Sequence, residues 1–166
     1  MDKLWSPWRS QYIESFKEKK SDSKGCIFCG AQNEDLNDDQ SLLVFRGEKT
    51  FTVLNLYPYN NGHLMVVPYR HVSDISELTV EEMTEAMTTI QKLVEALKAI
   101  SNPEGFNIGA NLGKVAGAGI ADHIHFHIVP RWNGDTNFMP VIGAVKVLSQ
   151  DLLATKKQLQ QYFGVV

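Results

Sequence analysis

Three histidines alternate with apolar residues in the last third of the sequence: His123, His125 and His127. Successive side chains of a β-strand point to opposite faces, so this spacing predicts a strand with all three imidazoles on one face. The interleaved Ile124 and Phe126 would then enter a core on the other face. A purely solvent-facing strand more commonly carries Thr, Ser or Lys at such positions. The pattern therefore indicates a functional cluster.

Two kinds of chemistry fit three neighbouring imidazoles. Imidazole nitrogens bind zinc at about 2.1 Å, so the row could surround one catalytic metal ion. Alternatively, one neutral imidazole attacks a phosphorus atom, a second donates a hydrogen bond or proton to the leaving oxygen, and a third orients the others. Near neutral pH an imidazole is available in both protonation states, which suits a double displacement.

A glycine-rich segment precedes the histidines, with five glycines within fifteen residues and Lys114 among them. Exposed backbone N–H groups on a permissive chain suit close approach of phosphate oxygens. The segment lacks the Ser or Thr of a Walker A loop and the third glycine of a dinucleotide fingerprint. Joined to the histidine row, it favours phosphate chemistry. The glycines are Gly105, Gly109, Gly113, Gly117 and Gly119.

The chain has two cysteines, Cys26 and Cys29, in a Cys-x-x-Cys arrangement. A structural disulfide would close a very small loop in a reducing compartment, which argues against one. Three interpretations remain: a redox pair, half of a zinc site, or two cysteines that are functionally unrelated. Redox pairs of the thioredoxin kind lie between a strand and a helix, whereas polar stretches flank this pair. The surroundings favour zinc.

The elements that must position these residues come as runs of strands with one long helix between them. That order favours an α+β fold with a largely antiparallel sheet. Pro68 and Pro130 are expected to end two strands, and Thr79 to Glu82 resembles a capping box at the start of the long helix. Strands are predicted at 41–46, 51–56, 63–67 and 123–129, a glycine-rich strand and loop at 105–119, and helices at 4–16, 76–100 and 149–162.

Composition restricts the class of protein. A chain of 166 residues favours one domain, and 43% hydrophobic with 21% charged residues is ordinary for a globular protein. The net charge of −3 is too balanced to predict binding to nucleic acid. No apolar run approaches the roughly 20 residues of a membrane span, and the first residues do not start a signal peptide. We expect a cytoplasmic protein that binds neither nucleic acid nor membrane.

These residues resemble the histidine triad (HIT) family. The segment 123–129 fits the family signature His-φ-His-φ-His-φ-φ, in which φ is apolar, and 55–63 fits the upstream Asn-x7-His stretch. The resemblance covers roughly 26–137. The flanks look more like the branch that contains bacterial diadenosine tetraphosphate (Ap4A) phosphorylases and related hydrolases. Those flanks are 4–9, 116–120 and 132–139.

The resemblance implies a single HIT domain over 1–166, with an N-terminal extension (1–25), a HIT core (26–139) and a C-terminal helical segment (140–166). It implies an antiparallel sheet with one long helix plus terminal helices, paired in a homodimer with one continuous sheet. It also implies cleavage of dinucleoside polyphosphates at the α-phosphate through a covalent nucleotidyl-histidine, with no organic cofactor. A metal-dependent phosphohydrolase with the three histidines as ligands and a non-catalytic nucleotide-binding module are the alternatives.

Site residues follow position by position from the resemblance. His125 matches the nucleophile, His127 the residue that bonds the phosphate and the departing oxygen, His123 the orienting position, and His63 a further active-site histidine. The substrate-binding positions are Asn55 for the ribose, Phe28 and Val53 for the base pocket, Asn111 for the phosphates, and Gly119. Core packing is the alternative role for Phe28 and Val53.

Zinc-bearing family members add two histidines to the Cys-x-x-Cys pair, and here the set is Cys26, Cys29, His71 and His123. Four ligands with no open position describe a structural zinc site. Gly119 stands where hydrolytic members related to the fragile-histidine branch carry glutamine. The smaller residue leaves room beside the nucleophile, so inorganic phosphate could replace water in the second step, although hydrolysis stays possible.

Overall fold

The computed structural model describes residues 25–135 and 150–165, and the elements below belong to those ranges. The helix predicted at 4–16 lies outside them. Within them no helix is both long and apolar enough to cross a membrane. Five strands, three α-helices and two short 3-10 helices follow in chain order: α1 (Ile27–Ala31), β1 (Leu43–Arg46), β2 (Thr50–Leu54), β3 (Leu64–Pro68), a 3-10 turn (Ile75–Glu77), α2 (Val80–Ser101), β4 (Gly105–Gly109), a 3-10 turn (Lys114–Ala116), β5 (Phe126–Arg131) and α3 (Leu152–Phe163).

The five strands form one sheet in the order β1-β2-β3-β5-β4, and every neighbouring pair is antiparallel. This confirms the predicted α+β class with its antiparallel sheet. β5 lies between β3 and β4, and His127 is paired with Met65 on one side and Gly109 on the other. The histidine-bearing strand is therefore held from both edges.

The strand boundaries differ from the prediction around β5. The strand begins at Phe126 rather than His123, and it continues through Pro130 to Arg131. Pairing between β5 and β3 stops at Ile128. On the β3 side of the strand, Pro130 therefore has no partner that would need a backbone N–H. Pro68 is the last residue of β3 rather than the first residue after it.

Helix α2 begins with the predicted capping box. The Thr79 hydroxyl accepts from the Glu82 N–H at 3.2 Å, and the Glu82 carboxylate accepts from the Thr79 N–H at 2.8 Å. This cap moves the helix start to Val80, and a separate 3-10 turn occupies the first residues of the predicted span. Glu82 also accepts two hydrogen bonds from Arg70, at 2.7 and 2.8 Å. The Arg70 guanidinium lowers the pKa of this carboxyl to about 2.

The two faces of the sheet carry different apolar clusters. Helix α2 covers one face, where residues such as Leu93 and Leu97 pack with Phe126 and Ile128. The opposite face carries a second cluster, and Phe28 of α1 packs there. Since side chains alternate along a strand, His127 points to this second face. The members of the second cluster are Phe28, Leu43, Phe51, Val53, Met65 and Val67.

Helix α3 fastens the segment between α1 and β1 to the rest of the domain. The buried Lys156 ammonium donates to the main-chain carbonyls of Asp38 and Ser41, at 2.8 and 3.0 Å. The Gln160 side-chain amide donates to the Leu36 carbonyl at 2.8 Å. Burial lowers the pKa of Lys156. The segment that follows the two cysteines is thus held by a helix more than a hundred residues away in sequence.

Candidate active site and metal centre

His125 is held by a backbone carbonyl that determines which ring nitrogen carries the proton. Its Nδ1 lies 2.9 Å from the carbonyl oxygen of His123. A carbonyl only accepts, so Nδ1 carries the hydrogen and Nε2 keeps its lone pair. The side chain is buried, and burial lowers the pKa of His125. Burial therefore favours the neutral imidazole, and the carbonyl selects the tautomer with a nucleophilic Nε2.

His127 receives the opposite arrangement through His63. The Tyr59 backbone N–H donates to Nδ1 of His63 at 3.0 Å, so the hydrogen of the His63 ring is on Nε2. That Nε2 lies 2.9 Å from Nδ1 of His127 and donates to it. The proton of the neutral His127 ring is consequently on its own Nε2.

The rings of His125 and His127 are neighbours, with centroids 4.7 Å apart and planes at 76°. One ring has an electron pair at Nε2 and the next has an N–H at Nε2. A lone pair beside a donor is the pairing that displacement at phosphorus requires, because one group attacks while the other stabilises the departing oxygen.

The third histidine of the row belongs to a separate cluster. His123 is fully buried, and its Nε2 donates to the Pro68 carbonyl at 2.9 Å. Its Nδ1, which therefore has the lone pair, lies 3.3 Å from the sulfur of Cys26 and 3.7 Å from that of Cys29. Burial lowers the pKa of His123. The three histidines accordingly do not surround one common point.

Four potential ligands converge around His123. One ligand atom each from Cys26, Cys29, His71 and His123 lies within 4.8 Å of the other three, and His71 Nδ1 is 3.3 Å from the Cys29 sulfur. With Zn–S and Zn–N bonds of about 2.3 and 2.1 Å, the ligand atoms of a tetrahedron are about 3.5–3.8 Å apart. The sulfur–nitrogen distances of 3.3, 3.3 and 3.7 Å are close to these values, and a donor set of two sulfurs and two imidazoles fits a structural zinc ion. The structure brings together the whole predicted set.

The local fold explains how the two cysteines reach this position. Cys26 is the N-cap of α1 and Cys29 lies in its single turn, so the i, i+3 spacing places both sulfurs on one side. Phe28, between them, turns to the sheet and contacts His125 and His123 at ring-centroid distances of 4.8 and 5.6 Å. Burial, then the neighbouring Cys26, raises the pKa of the Cys29 thiol. A bound cation would offset this effect.

The predicted substrate-binding residues lie in three places. Asn55 is buried beside His63, with its side-chain nitrogen 3.3 Å from His63 Nδ1. Phe28 and Val53 belong to the apolar cluster on the histidine face. Asn111 and Gly119 lie on the segment that joins β4 to β5, where Gly119 is exposed.

Sequence reasoning missed the groups that assign the protons. The Tyr59 N–H, the Pro68 carbonyl and the His123 carbonyl are main-chain atoms. Any residue type supplies a main-chain carbonyl, and every type except proline supplies an N–H, so no pattern of side chains reveals them. It also missed α1, for which the i, i+3 spacing of Cys26 and Cys29 was the available signal.

Comparisons with known proteins identify the family and the fold. Residues 37–134 match the HIT domain. The chain is 44% identical to the AP-4-A phosphorylase of Mycobacterium tuberculosis over 161 residues, 96% of this chain and 83% of that protein. It is 35% identical to a bis(5'-adenosyl)-triphosphatase of Dictyostelium discoideum over 92 residues, 55% and 61% of the two chains. A Zn-bound histidine triad family protein from Mycobacterium smegmatis shares the fold, with a TM-score of 0.66 at 24% identity over 85% of this chain and 94% of that one.

Proposed function

This chain belongs to the HIT family, and on that premise we propose that it is a nucleotidyl-transferring enzyme that cleaves Ap4A-like dinucleoside polyphosphates at the α-phosphate. The observation that carries the proposal is the opposite protonation of two adjacent Nε2 atoms, a lone pair on His125 and an N–H on His127. The 44% identical AP-4-A phosphorylase supports the substrate class.

In the first step Nε2 of His125 attacks the α-phosphorus. An N–P bond forms, the P–O bond to the polyphosphate breaks, and the electron pair leaves on the oxygen. Nε2–H of His127 donates a hydrogen bond to that oxygen and stabilises the negative charge that develops on it. With Ap4A, the adenylyl group stays on His125 and ATP departs.

In the second step an oxygen of inorganic phosphate or of water attacks the same phosphorus. The N–P bond breaks and its electron pair returns to Nε2 of His125, while Nε2–H of His127 keeps its hydrogen bond to the reacting phosphate. An attacking oxygen of inorganic phosphate is already anionic, and an attacking water releases its proton to solvent. Phosphate as acceptor releases ADP, and water releases AMP. We favour phosphate because Gly119 adds no side chain beside the nucleophile and because the M. tuberculosis relative is named a phosphorylase.

The remaining residues of the proposed site bind the nucleoside and the phosphates. Asn55 would bind the ribose while it stays next to His63. Phe28 and Val53 would line the base pocket from the apolar cluster of the histidine face. Asn111 and Gly119 would face the phosphates from the β4–β5 connection.

We propose that Cys26, Cys29, His71 and His123 hold a structural zinc ion, which would tie α1 to the sheet. The proximity of the four ligand atoms, all within 4.8 Å of one another, supports this, and so does the donor set of two sulfurs and two imidazoles. The reaction steps above use His125 and His127 for the chemistry and need no metal at phosphorus. We place the enzyme in the cytoplasm, where the two thiols stay reduced.

We also propose that the single HIT domain forms a homodimer with a continuous sheet. β4 is at the end of the described sheet, and its Ile108 is half exposed. A second β4 could pair with this edge and cover the apolar side chain.

Incubation of the purified protein with Ap4A, with and without inorganic phosphate, tests the function. We expect ADP plus ATP with phosphate, and an acid-labile adenylyl adduct that His125→Asn cannot form. AMP plus ATP in both conditions would make the enzyme a hydrolase. Turnover by a folded His125→Asn variant at the wild-type rate would reject the nucleophile assignment.

A further inference from the structure

We propose that Cys26, Cys29 and His71 are positioning residues for nucleotidyl transfer, because the cluster that they form with His123 fixes the proton of the His125 ring. The inference rests on the proposed function, in which His125 is the nucleophile. It assigns to the metal cluster an effect on the chemical step in addition to its effect on stability.

His123 connects the two sites through different parts of one residue. Its side chain belongs to the cluster, with Nδ1 3.3 Å from the Cys26 sulfur. Its main-chain carbonyl accepts the hydrogen of His125 Nδ1 at 2.9 Å. When the cluster holds the His123 side chain, it also limits the rotation of the peptide group that follows. That peptide group carries the acceptor for His125.

The second connection runs through His71. The residue after it, Val72, accepts the Ile124 N–H on its carbonyl at 2.7 Å. Ile124 is the residue between His123 and His125. The loop that carries His71 therefore holds the backbone of the same short segment from the other side.

The Ile124–Val72 hydrogen bond matters because the sheet itself does not hold these residues. Pairing between β3 and β5 starts at Phe126, so the backbone of 123–125 lies before the first ladder pair. Its restraints include this bond, the bond from the His123 ring to Pro68 and the contacts of His123 with the cysteines, together with the packing of Phe28 and the burial of Ile124. The metal cluster and the loop that carries His71 thus hold this backbone where no neighbouring strand pairs with it.

Loss of the cluster should act on the reaction rather than on substrate binding. If the His123 carbonyl turns away, Nδ1 of His125 loses its acceptor and the ring proton can occupy Nε2 instead. The attacking lone pair is then absent from part of the population, and the ring is free to rotate. A misplacement of about 1 Å at a reacting group can cost about a hundredfold in rate. The nucleoside and phosphate contacts would change much less.

The test compares the zinc-loaded wild type, the metal-free wild type, and the Cys26→Ser and Cys29→Ser variants, with zinc content measured by elemental analysis. Single-turnover formation of the adenylyl adduct from Ap4A should slow by about tenfold to a hundredfold without zinc. KM should stay within about threefold, and zinc added back to the metal-free wild type should restore the rate. An unchanged rate of adduct formation in the metal-free protein would overturn the proposal.

A spectroscopic readout follows the tautomer without any turnover. In protein with ¹⁵N-labelled histidine, the zinc-loaded form should show His125 with its hydrogen on Nδ1, assigned by its loss in His125→Asn. Without zinc, the Nε2–H form should appear or the Nδ1–H signal should exchange rapidly with water. Identical His125 signals with and without zinc contradict the coupling, even if the proposed reaction is correct.

Gln160→Ala is the matched control. It loosens the segment after α1 at its contact with α3 and leaves the four ligands and the histidines in place. We expect a lower melting temperature with an unchanged His125 tautomer and adduct rate. If Gln160→Ala slowed adduct formation as much as zinc removal, general destabilisation would explain the effect and the proposal would fail. Absence of any adduct in the zinc-loaded wild type would instead reject the proposed function.

Discussion

Nε2 of His63 lies 2.9 Å from Nδ1 of His127. This hydrogen bond places the proton of the His127 ring on Nε2, the nitrogen that would face the substrate. The Tyr59 N–H fixes the orientation of the donor ring from behind. The Tyr59 peptide group therefore determines the tautomer of His63, and His63 in turn determines the tautomer of His127. His63 acts through His127, which makes it a positioning residue for the proposed reaction.

Replacement of His63 by leucine should separate this role from substrate binding. His63→Leu removes the donor to His127 and fills the buried position with an apolar side chain, so the His127 ring loses its fixed tautomer. We expect kcat to fall by about tenfold to a hundredfold, with KM changed by less than about threefold. Steady-state kinetics with Ap4A check this. A variant with wild-type kcat would show that His127 needs no partner.

Replacement of His127 should affect a poor leaving group more than a good one. His127→Asn removes the hydrogen-bond donor to the departing oxygen, and removal of one such donor costs about 10²–10³-fold. The loss should be much smaller with the p-nitrophenyl ester of AMP, because p-nitrophenolate leaves without that stabilisation. Rates of both substrates with wild type and variant give the comparison. Equal losses with both substrates would assign His127 a different role.

The side chain at position 119 should influence the choice of acceptor. Gly119→Gln introduces an amide at the position where related hydrolases carry glutamine, so we expect a lower ratio of ADP to AMP when phosphate is present. Gly119→Ala is the control for the loss of glycine alone and should keep more of the phosphorolysis. Chromatographic separation of the products measures the ratio. An unchanged ratio in Gly119→Gln would remove this position from acceptor selection.

The Glu82–Arg70 pair should make stability depend on pH in the acid range. Arg70 lowers the folded-state pKa of Glu82 from 4.5 to about 2, so the pair stabilises the protein above about pH 4.5, and this contribution is lost as the pH falls towards 2. Because Arg70 is half exposed, solvent screening reduces the effect to about 1–2 kcal/mol. Urea unfolding of the wild type and Glu82→Gln should differ by this amount at pH 7 and converge by about pH 2–3.

The exposed Glu95 on the same helix provides the comparison for that experiment. Glu95→Gln lacks the capping-box and Arg70 contacts of Glu82, so it should change the free energy of unfolding by less than about 0.5 kcal/mol at any pH. If Glu82→Gln behaved in the same way, the ion pair would contribute nothing measurable.

Two adjacent lysines of α3 should differ sharply in their contribution to stability. Lys156→Met leaves the carbonyls of Asp38 and Ser41 without their donor, and an unsatisfied buried acceptor costs about 1–3 kcal/mol. Lys157→Met removes only an exposed ion pair with Asp39, which is worth about 0–1 kcal/mol. Thermal unfolding of both variants is the measurement. Equal melting temperatures of the two variants would show that the buried Lys156 ammonium does not stabilise the fold.

Part of this architecture could be predicted from local patterns in the sequence. The Thr79–Glu82 capping box and the alternation around Phe126 are such patterns, and both elements formed as expected within a few residues. The zinc set was predicted from resemblance, and the structure brings its four residues together. The assignment of each ring proton could not be predicted, because it depends on carbonyl and amide groups that folding places around the rings.

The anchor from Lys156 to Asp38 joins positions 118 residues apart. A ribosome therefore synthesises the thiol-bearing turn and the whole histidine strand before the helix that fastens the segment after that turn. All four proposed metal ligands, from Cys26 to His123, precede that helix in the sequence. Metal capture and final closure of the domain are consequently separable events in time.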